Sequence, residues 1–258
     1  EAMDNATSHA SHHLMKTLMS TFFKFLLVFM NGLLLQTVFA QGEEALIRKT
    51  LKERMPHISP IDEIKRTPMP GLFELRVDTS EIYYTDASAN FLIQGQLIDT
   101  KNQRNLTEER MQKIMAVDFK SLPFKDAIVI VRGKGERKMA IFEDPNCGYC
   151  KRFERELQNI DNVTVYLFLY PILGKDSVDK SKAIWCSKDQ SKAWQDFMLR
   201  DQSPNPTGCD TAALKRNVDF GQKQRISGTP TTIFADGSRI SGAVEMAQIE
   251  KMLSSAKP

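Results

Sequence analysis

The second half of the chain contains the stretch Met139-Ala140-Ile141-Phe142-Glu143-Asp144-Pro145-Asn146-Cys147-Gly148-Tyr149-Cys150-Lys151-Arg152. Its apolar start, Met139–Phe142, is typical of a buried strand, and the segment 148–158 predicts a helix. Cys147 and Cys150 therefore stand one helical turn apart at a strand-to-helix junction. A Cys-x-x-Cys pair in that context favours a dithiol redox site.

The helix start gives the first cysteine its expected reactivity. Unpaired N–H groups and a partial positive charge at a helix N-terminus stabilise a thiolate at Cys147. Lys151 and Arg152 oppose the helix dipole, but they raise the local positive potential around the sulfur. We expect the Cys147 thiolate to attack a substrate disulfide, and Cys150, one turn further in, to resolve the mixed disulfide.

Two other interpretations of the pair are weaker. A zinc site would need a second Cys-x-x-Cys or a supporting His pair. The clustered His9, His12 and His13 come without a Cys or carboxylate pattern that would support metal binding. A structural disulfide between Cys147 and Cys150 would be tight and strained. The sequence therefore predicts no metal site and no cofactor.

The composition excludes several classes of protein. The chain has 258 residues, is 41% hydrophobic and 26% charged, and carries a net charge of +3. These values are typical of a globular chain with one large domain or two small ones. The small charge gives no reason to expect nucleic acid as a partner. The chain has 4 cysteines, which are too few for a disulfide-stapled scaffold.

Strands and helices alternate around the cysteine pair, which predicts an α/β domain. The predicted strands are Ala127–Val131, Met139–Phe142, Val163–Leu169, Thr231–Phe234 and Arg239–Ser241. A hairpin turn at Asp236-Gly237 joins the last two strands. The predicted helices cover 148–158, 176–199, 210–220 and 245–254.

A smaller α+β unit is predicted before that domain. Residues 43–54 form a helix, with Ile47, Leu51 and Met55 on one apolar face. Short strands follow at 61–65, 72–77, 81–85 and 91–98. A unit this small buries little surface alone, so we expect it to pair with a partner. A connector helix, with Asn105 or Thr107 as its cap, runs to about Val117.

The N-terminus carries the three parts of a secretory signal peptide in order. Lys16 and Lys24 precede a short apolar run, 25–35, and Val38 and Ala40 occupy the small-residue positions before cleavage. We expect export to an oxidising compartment, with cleavage after Ala40, rather than a buried core helix. The predicted organisation is upstream sequence 1–14, signal peptide 15–40, N-terminal dimerisation domain 41–102, linker helix 103–121 and catalytic domain 122–258.

The run 144–151 resembles the active site of the DsbC/DsbG family of bacterial periplasmic disulfide isomerases. Gly228-Thr229-Pro230-Thr231-Thr232 resembles that family's Gly-Thr-cis-Pro loop. The resemblance implies a thioredoxin-like α/β domain with a helical insertion, preceded by a small α+β, cystatin-like dimerisation domain and a linker helix. It also implies a V-shaped homodimer, joined through the N-terminal domains, whose two active sites face an apolar cleft.

The resemblance implies a role for each candidate site residue. The catalytic residues would be Cys147 and Cys150, and the substrate-binding residues would be Gly148, Tyr149, Thr229 and Pro230. The dimer interface would contain Phe91, Ile93, Gly95 and Leu97, and Cys186 and Cys209 would form a structural disulfide. Such a bridge would stabilise the fold by about 3 kcal/mol in the chain-entropy model. A regulatory redox role for the bridge is the alternative.

The match also has departures. Many thioredoxins carry a buried Asp six residues before the first cysteine, and here Ile141 stands at that position. Glu143 and water are the remaining candidates for proton uptake. Gly148, Tyr149 and Thr229 favour the DsbC branch, because DsbG typically has Pro in place of the Gly and the oxidase DsbA usually has Pro-His and Val.

The predicted function is that of an enzyme, a thiol–disulfide isomerase of the Gram-negative periplasm. It would reshuffle incorrect disulfides in misfolded proteins and have chaperone activity. The resemblance implies that the membrane reductase DsbD supplies its electrons. One alternative is a disulfide oxidase or reductase of the same superfamily. A second is a holdase chaperone without essential redox activity, and a third is a structural or metal-binding secreted protein.

Overall fold

The computed structural model describes residues 42–78, 80–205 and 208–256. The contacts of these residues define two compact units, with the division between Thr107 and Glu108. The predicted upstream segment 1–14, the signal peptide 15–40 and the cleavage after Ala40 lie outside the described residues. Within the described ranges, no helix has both the length and the apolar character needed to cross a membrane.

The first unit is an antiparallel four-stranded sheet packed with one helix. The helix α1 covers residues 42–54. The strands lie in the order β1-β2-β3-β4 and cover Ile61–Arg66, Leu72–Val77, Glu81–Asp86 and Leu92–Gln94. Ile47 and Leu51 of α1 are buried with Phe73, Leu75 and Val77, which alternation places on one face of β2. Met55, predicted on the same helix face, follows the end of α1 and is exposed.

The strand predicted over 91–98 is shorter in the structure. Strand β4 ends at Gln94, and a two-stranded ribbon then pairs Ile98–Asp99 (β5) with Arg104–Asn105 (β6). Helix α2 covers Leu106–Ile114 and therefore ends before Val117, contrary to the prediction. Val117 leaves the helix because its N–H donates to the Gly237 carbonyl, at 3.0 Å.

The second unit contains a mixed five-stranded sheet in the order β11-β10-β8-β9-β7. Strands β8 and β9 are parallel, and the other neighbours are antiparallel. In chain order the elements are Ile128–Arg132 (β7), Arg137–Glu143 (β8), Gly148–Leu157 (α3), Val163–Leu169 (β9), Lys175–Trp185 (α4), Gln190–Arg200 (α5), Ala212–Lys223 (α6), Thr231–Phe234 (β10), Arg239–Ser241 (β11) and Met246–Ser255 (α7).

Both faces of this sheet are covered. Met139 and Ile141 of β8 share a core with residues of α3, α5 and α7, whereas Ala140 and Phe142 belong to a second core on the opposite face. Side chains alternate between the faces of a strand, so Glu143 follows Ile141 on the face that carries α3. The alternation thus directs a carboxyl group toward the helix that begins at the cysteines.

The single helix predicted over 176–199 is two helices in the structure. Helix α4 ends at Trp185, and α5 begins after Asp189, whose side chain accepts the Lys192 N–H at 2.9 Å. The sequence pattern is continuous across this break because both helices bury apolar residues in the same layer. Cys186, directly after α4, is bonded to Cys209 across a sequence separation of 23, and this disulfide joins the end of α4 to the segment before α6.

Close packing of α6 depends on a glycine. A Cβ at Gly221 would overlap the ring of Tyr170, which is buried and donates from its hydroxyl to the Ile226 carbonyl at 2.8 Å. We expect Gly221→Ala to destabilise the second unit by about 1–3 kcal/mol, because the ring cannot move without losing that bond.

Chemical denaturation checks the Gly221 prediction, with Gly208→Ala as the matched control. Gly208 has open space at its Cβ position, so its substitution is expected to change stability by less than about 0.5 kcal/mol. Equal unfolding midpoints for the two variants would contradict the predicted overlap with Tyr170.

Candidate active site

The cysteine pair begins helix α3. Cys147 caps the helix, because its Sγ accepts the Cys150 N–H at 3.2 Å and its carbonyl accepts the Lys151 N–H at 3.1 Å. Neither thiol forms a disulfide. Gly148 and Tyr149 are exposed, the latter at 67%, whereas Cys150 is completely buried. Cys147 is 5% exposed and lies next to these exposed residues, whereas Cys150 has no exposed surface.

A proline loop from the far end of the domain faces the first sulfur. The Thr229–Pro230 peptide bond is cis, and the Cys147 thiol donates to the Thr229 carbonyl at 3.3 Å. The Pro230 carbonyl in turn accepts the Gly242 N–H at 2.7 Å. The fold therefore brings the predicted substrate-binding residues Thr229 and Pro230 to the cysteine pair across 82 positions of sequence.

Asp144 fixes the turn that leads into the pair. Its buried carboxylate accepts four hydrogen bonds, from the Asn146 N–H at 2.8 Å, the Ser177 hydroxyl at 2.7 Å, and the Ile172 and Leu173 N–H groups at 2.8 and 2.9 Å. The Asp144 carbonyl also accepts the Cys147 N–H, at 3.0 Å. One side chain thus ties the cysteine loop to the segment that starts α4.

The surroundings of the second cysteine oppose its ionisation. Burial raises the pKa of the Cys150 thiol well above its usual range, and the negative charge of Glu143 adds to the effect. Burial also raises the pKa of Glu143 well above its ordinary value, with a further contribution from the charge of Glu154. Cys150 therefore remains a protonated thiol until it reacts, and its attack requires a proton acceptor.

The positive charge expected beside Cys147 is partly compensated. Lys151 forms an ion pair with Asp201, and its ammonium lies 5.0 Å from the centre of the Phe197 ring. The expected increase of positive potential at the sulfur by Lys151 is therefore reduced by the Asp201 carboxylate, which lies 50 positions further along the chain. Sequence alone does not show this pairing, because Asp201 follows the end of α5.

The other predicted site residues lie apart from the cysteine pair. Phe91, Ile93, Gly95 and Leu97 belong to the first unit. Phe91 directly precedes the edge strand β4, Ile93 lies on it, and the other two follow it. Phe91 is 71% and Ile93 51% exposed. Cys186 and Cys209 lie between helices of the second unit. In the part of the chain that the structure describes, no group of three or more His, Cys, Asp or Glu could hold a metal ion.

Sequence reasoning missed three buried polar residues around the site, namely Asp144, Glu154 and Trp194. The Trp194 indole N–H donates to Glu154 Oε1 at 2.7 Å, beneath helix α3. The available signal was the pair of acidic residues, Glu143 and Asp144, directly after an apolar strand. Carboxyl groups are almost never fully buried unless they are partnered, so acidic residues at that place indicate a polar function inside the domain.

A thiol held at a helix N-terminus against a cis-proline is suited to exchanging disulfides, and it places the second unit among the thioredoxin-like thiol–disulfide oxidoreductases. Residues 124–257 match the family model of the thioredoxin-like domain. Residues 38–108 match the model of the disulfide bond isomerase protein N-terminal domain. The chain belongs to the DsbC family of thiol:disulfide interchange proteins.

Individual relatives agree with this membership. The chain is 43% identical over 193 residues to the "Probable thiol:disulfide interchange protein DsbC" of Bordetella pertussis, covering 75% of this chain and 68% of the relative. It is 27% identical over 222 residues to the thiol:disulfide interchange protein DsbC of Escherichia coli K12, covering 83% and 89%.

Among solved structures, the crystal structure of a disulfide interchange protein from Neisseria gonorrhoeae matches with a TM-score of 0.50 and 36% identity. The match covers 52% of this chain and 98% of that one. The predicted family, the fold class and the assignment as a thiol:disulfide interchange enzyme are therefore confirmed.

Proposed function

We propose that this enzyme is a disulfide isomerase, with Cys147 as the nucleophile and Cys150 as the resolving thiol. The observation that carries the proposal is the unequal placement of the two sulfurs. Cys147 is 5% exposed beside the exposed Gly148 and Tyr149, and its Sγ contacts the Cys150 N–H and the Thr229 carbonyl. Cys150 is 0% exposed. An attacking sulfur must reach a protein substrate, but a resolving sulfur needs to reach only its neighbour.

The exchange proceeds through a mixed disulfide. The Cys147 thiolate attacks one sulfur of an incorrect substrate disulfide, and the other substrate sulfur leaves as a thiolate with the electron pair of the broken bond. That thiolate attacks a different disulfide in the substrate, and a later substrate thiolate displaces Cys147. When this return is delayed, Cys150 displaces the substrate, and a Cys147–Cys150 disulfide forms.

Substrate would lie along the proline loop. The backbone of Thr229 offers main-chain hydrogen bonds to an extended segment, as in strand addition. Gly148 and Tyr149 are exposed next to Cys147, and Pro230 holds the loop opposite the sulfur. Because main-chain contacts carry no sequence information, this arrangement suits an enzyme that accepts many misfolded proteins.

A homodimer is proposed through the first unit. Strand β4 is an edge of its sheet, and Ile93 on it and Phe91 directly before it are exposed apolar side chains. An edge strand with exposed apolar residues is a ready template for pairing with another chain. Gly95 and Leu97 continue this proposed interface. The proposed limits of the N-terminal domain, the linker helix and the catalytic domain are 41–102, 103–121 and 122–258.

The proposed setting is the periplasm of a Gram-negative bacterium, reached through a signal peptide cleaved after Ala40. Isomerisation needs Cys147 reduced, so a reductant must restore the dithiol, and we propose the membrane reductase DsbD. Chaperone activity is proposed as well, because Tyr149 and Leu173 are exposed large hydrophobic residues in the catalytic unit, at 67% and 55%. Exposed apolar surface of this kind binds unfolded chains.

Two assays run on protein lacking residues 1–40 test the isomerase proposal. We expect recovery of activity from scrambled ribonuclease together with reduction of insulin. The control is the same protein with Cys147 and Cys150 blocked by alkylation. Insulin reduction without ribonuclease recovery would contradict isomerisation and favour a reductase.

The redox state of the pair and an aggregation assay separate the alternatives. A mostly oxidised Cys147–Cys150 pair in cells would favour an oxidase. A holdase predicts that suppression of aggregation survives replacement of both cysteines by serine. Retention of that suppression together with loss of ribonuclease recovery would support both proposed activities.

A further inference from the structure

The ammonium group of Lys151 lies at the C-terminal end of helix α5. It forms an ion pair with Asp201, the residue that caps α5, and it lies 5.0 Å from the centre of the Phe197 ring in the last turn of that helix. A helix C-terminus carries a partial negative charge, and the face of an aromatic ring attracts cations. A carboxylate, a ring face and a helix dipole therefore attract the same ammonium group.

The backbone fixes the place of Asp201. This residue adopts the left-handed conformation, with a φ of 54°, and its N–H donates to the Phe197 carbonyl at 3.1 Å. Helix α5 is joined to α3 by the hydrogen bond from the Trp194 indole to Glu154. The position of the Asp201 carboxylate relative to α3 is therefore set by packing, although its side chain is 78% exposed.

Lys151 can carry its charge either to the end of α5 or toward the attacking cysteine. Residues four positions apart lie on the same face of a helix, and Lys151 follows Cys147 by four positions. In the structure, Cys147 Sγ meets the Cys150 N–H and the Thr229 carbonyl, whereas the Lys151 ammonium meets Asp201. The lysine side chain is long and flexible, so the carboxylate decides between the two places.

Other charges near this ion pair do not replace it. Lys180, whose ammonium lies 5.6 Å from the centre of the Phe197 ring, pairs with Asp176 at 2.6 Å and keeps that partner when Asp201 changes. Lys151 is the main cause of the lowered pKa of Asp201, and the charge of Arg155 makes a smaller contribution. The principal partner of Asp201 is therefore Lys151.

The place of the ammonium affects how strongly the cysteine pair oxidises a substrate. A cation near Cys147 stabilises its thiolate, which exists only in the reduced pair. A dithiol whose reduced form is stabilised makes a stronger oxidant. Movement of the Lys151 charge from Asp201 to the sulfur would therefore make the pair more oxidising.

We propose that Asp201 is a positioning residue that holds the Lys151 ammonium at the end of α5 and thereby keeps the cysteine pair a weaker oxidant. The inference rests on Cys147 as the attacking sulfur, the role proposed above. Asp201 acts on that sulfur through Lys151. The ion pair thus favours an enzyme that exchanges the disulfides of its substrates over one that donates its own.

The equilibrium with glutathione measures this effect. Two molecules of reduced glutathione give two electrons and two protons to the Cys147–Cys150 disulfide, which yields two thiols and one molecule of oxidised glutathione. Where Cys147 ionises, its proton passes to water. Protein lacking residues 1–40 is equilibrated in glutathione buffers, quenched with acid and alkylated, and mass spectrometry gives the oxidised fraction. The quantity compared is the ratio of squared reduced to oxidised glutathione at half oxidation.

Asp201→Asn is expected to lower this ratio about three- to fivefold, the upper range for an ion pair at a protein surface. Asparagine tolerates the left-handed conformation, so the end of α5 is kept. In a protein that carries Lys151→Met, the same change is expected to shift the ratio less than about 1.5-fold, because no ammonium can move. The matched control is Asp179→Asn, which removes an exposed carboxylate paired with Lys175 and is expected to leave the ratio unchanged.

Salt distinguishes a charge effect from a structural one. At 1 M sodium chloride the Debye length is about 3 Å, so the difference between Asp201→Asn and the unaltered protein is expected to fall below about 1.5-fold. A change in the packing of α5 would instead persist at this salt concentration. Persistence of the full difference would therefore overturn the electrostatic role of Asp201.

The remaining outcomes separate this role from the identity of the nucleophile. An unchanged ratio in Asp201→Asn would overturn the role of Asp201, and so would an equal shift with and without Lys151. Brief alkylation of the reduced, unaltered protein is expected to label Cys147 before Cys150. Labelling in the opposite order would overturn Cys147 as the nucleophile, and the role of Asp201 with it.

Discussion

Cys147→Ser is expected to reduce the recovery of scrambled ribonuclease to the level of a protein-free control, a loss of at least about a thousandfold. The serine hydroxyl stays protonated at neutral pH and cannot form a disulfide, so no mixed disulfide with substrate arises. Cys150 cannot take over the attack, because it is completely buried and its pKa is raised by that burial. Ribonuclease recovery and insulin reduction are the measurements.

Two further variants make this prediction sharper. Cys150→Ser keeps the attacking thiol, so we expect it to accumulate mixed disulfides with substrate that gel electrophoresis without reductant can detect. Replacing Cys186 and Cys209 together by serine removes the other two cysteines of the chain and leaves the reacting pair intact. That double variant is expected to lose stability but to keep Cys147 reactive. Full ribonuclease recovery by Cys147→Ser would refute the assignment of the nucleophile.

Asp144→Ala is expected to cause a large loss of stability, about 3–5 kcal/mol, because several donors lose their acceptor and each buried one costs about 1–3 kcal/mol. The carboxylate accepts four hydrogen bonds inside the domain, and alanine would leave all four donors without it. Leaving buried donors unsatisfied costs more than the bonds themselves contribute. The Ile172 N–H also donates to the Tyr170 carbonyl at 3.0 Å and keeps that partner, so the loss falls on the Asn146, Leu173 and Ser177 donors. Chemical denaturation measures the loss.

The control for Asp144 is another aspartate of the same unit. Asp179 on α4 is exposed and pairs only with Lys175, one turn away at 2.6 Å. Asp179→Ala is therefore expected to change stability by less than about 0.5 kcal/mol. The stability of Asp144→Asn is expected to lie between those of Asp144→Ala and Asp179→Ala. The asparagine amide nitrogen is a donor, and it would face other donors in place of an accepting carboxylate oxygen. Similar unfolding midpoints for Asp144→Ala and Asp179→Ala would contradict the anchoring role of Asp144.

The buried carboxyl of Glu143 makes the stability of the second unit depend on pH. Folding raises the pKa of Glu143, so its contribution to stability is complete below the pKa of an exposed Glu, about 4.3. The contribution is lost as pH rises toward the folded-state value, because the unfolded chain ionises first. Glu143→Gln lacks this loss, and its stability should exceed that of the unaltered protein increasingly as pH rises above about 4.3.

Much of this protein could be predicted from sequence, because its signals are local. The strand Val163–Leu169 and the hairpin strands Thr231–Phe234 and Arg239–Ser241 have the predicted bounds, since their apolar runs end at turn residues. The pair Cys147 and Cys150 at a helix start is also a local pattern, as it needs only a strand, a turn and a helix in succession. The family follows from that pattern together with the Thr229–Pro230 loop.

Tertiary structure alone decided the chemistry around the pair. Cys147 meets Thr229, Asp144 meets Ile172 and Leu173, and Lys151 meets Asp201, each across 28 to 82 positions. No periodicity in the sequence records such contacts, because they depend on how the sheet and helices pack. The break between α4 and α5 escaped prediction for the same reason, since both halves bury their apolar faces in one layer.

Glu143 shows which properties of a residue follow from the sequence and which depend on the tertiary structure. Strand alternation alone places it on the face of Ile141, and the sequence shows that an acidic residue ends an apolar strand. Whether such a residue is a solvated strand end or a buried acid depends on what covers it. Helix α3 covers it with Cys150 and Glu154, while α5 brings Trp194 and β7 brings Arg132 to the same place. Sequence determined that a carboxyl group stands there, and packing determined that it is completely buried.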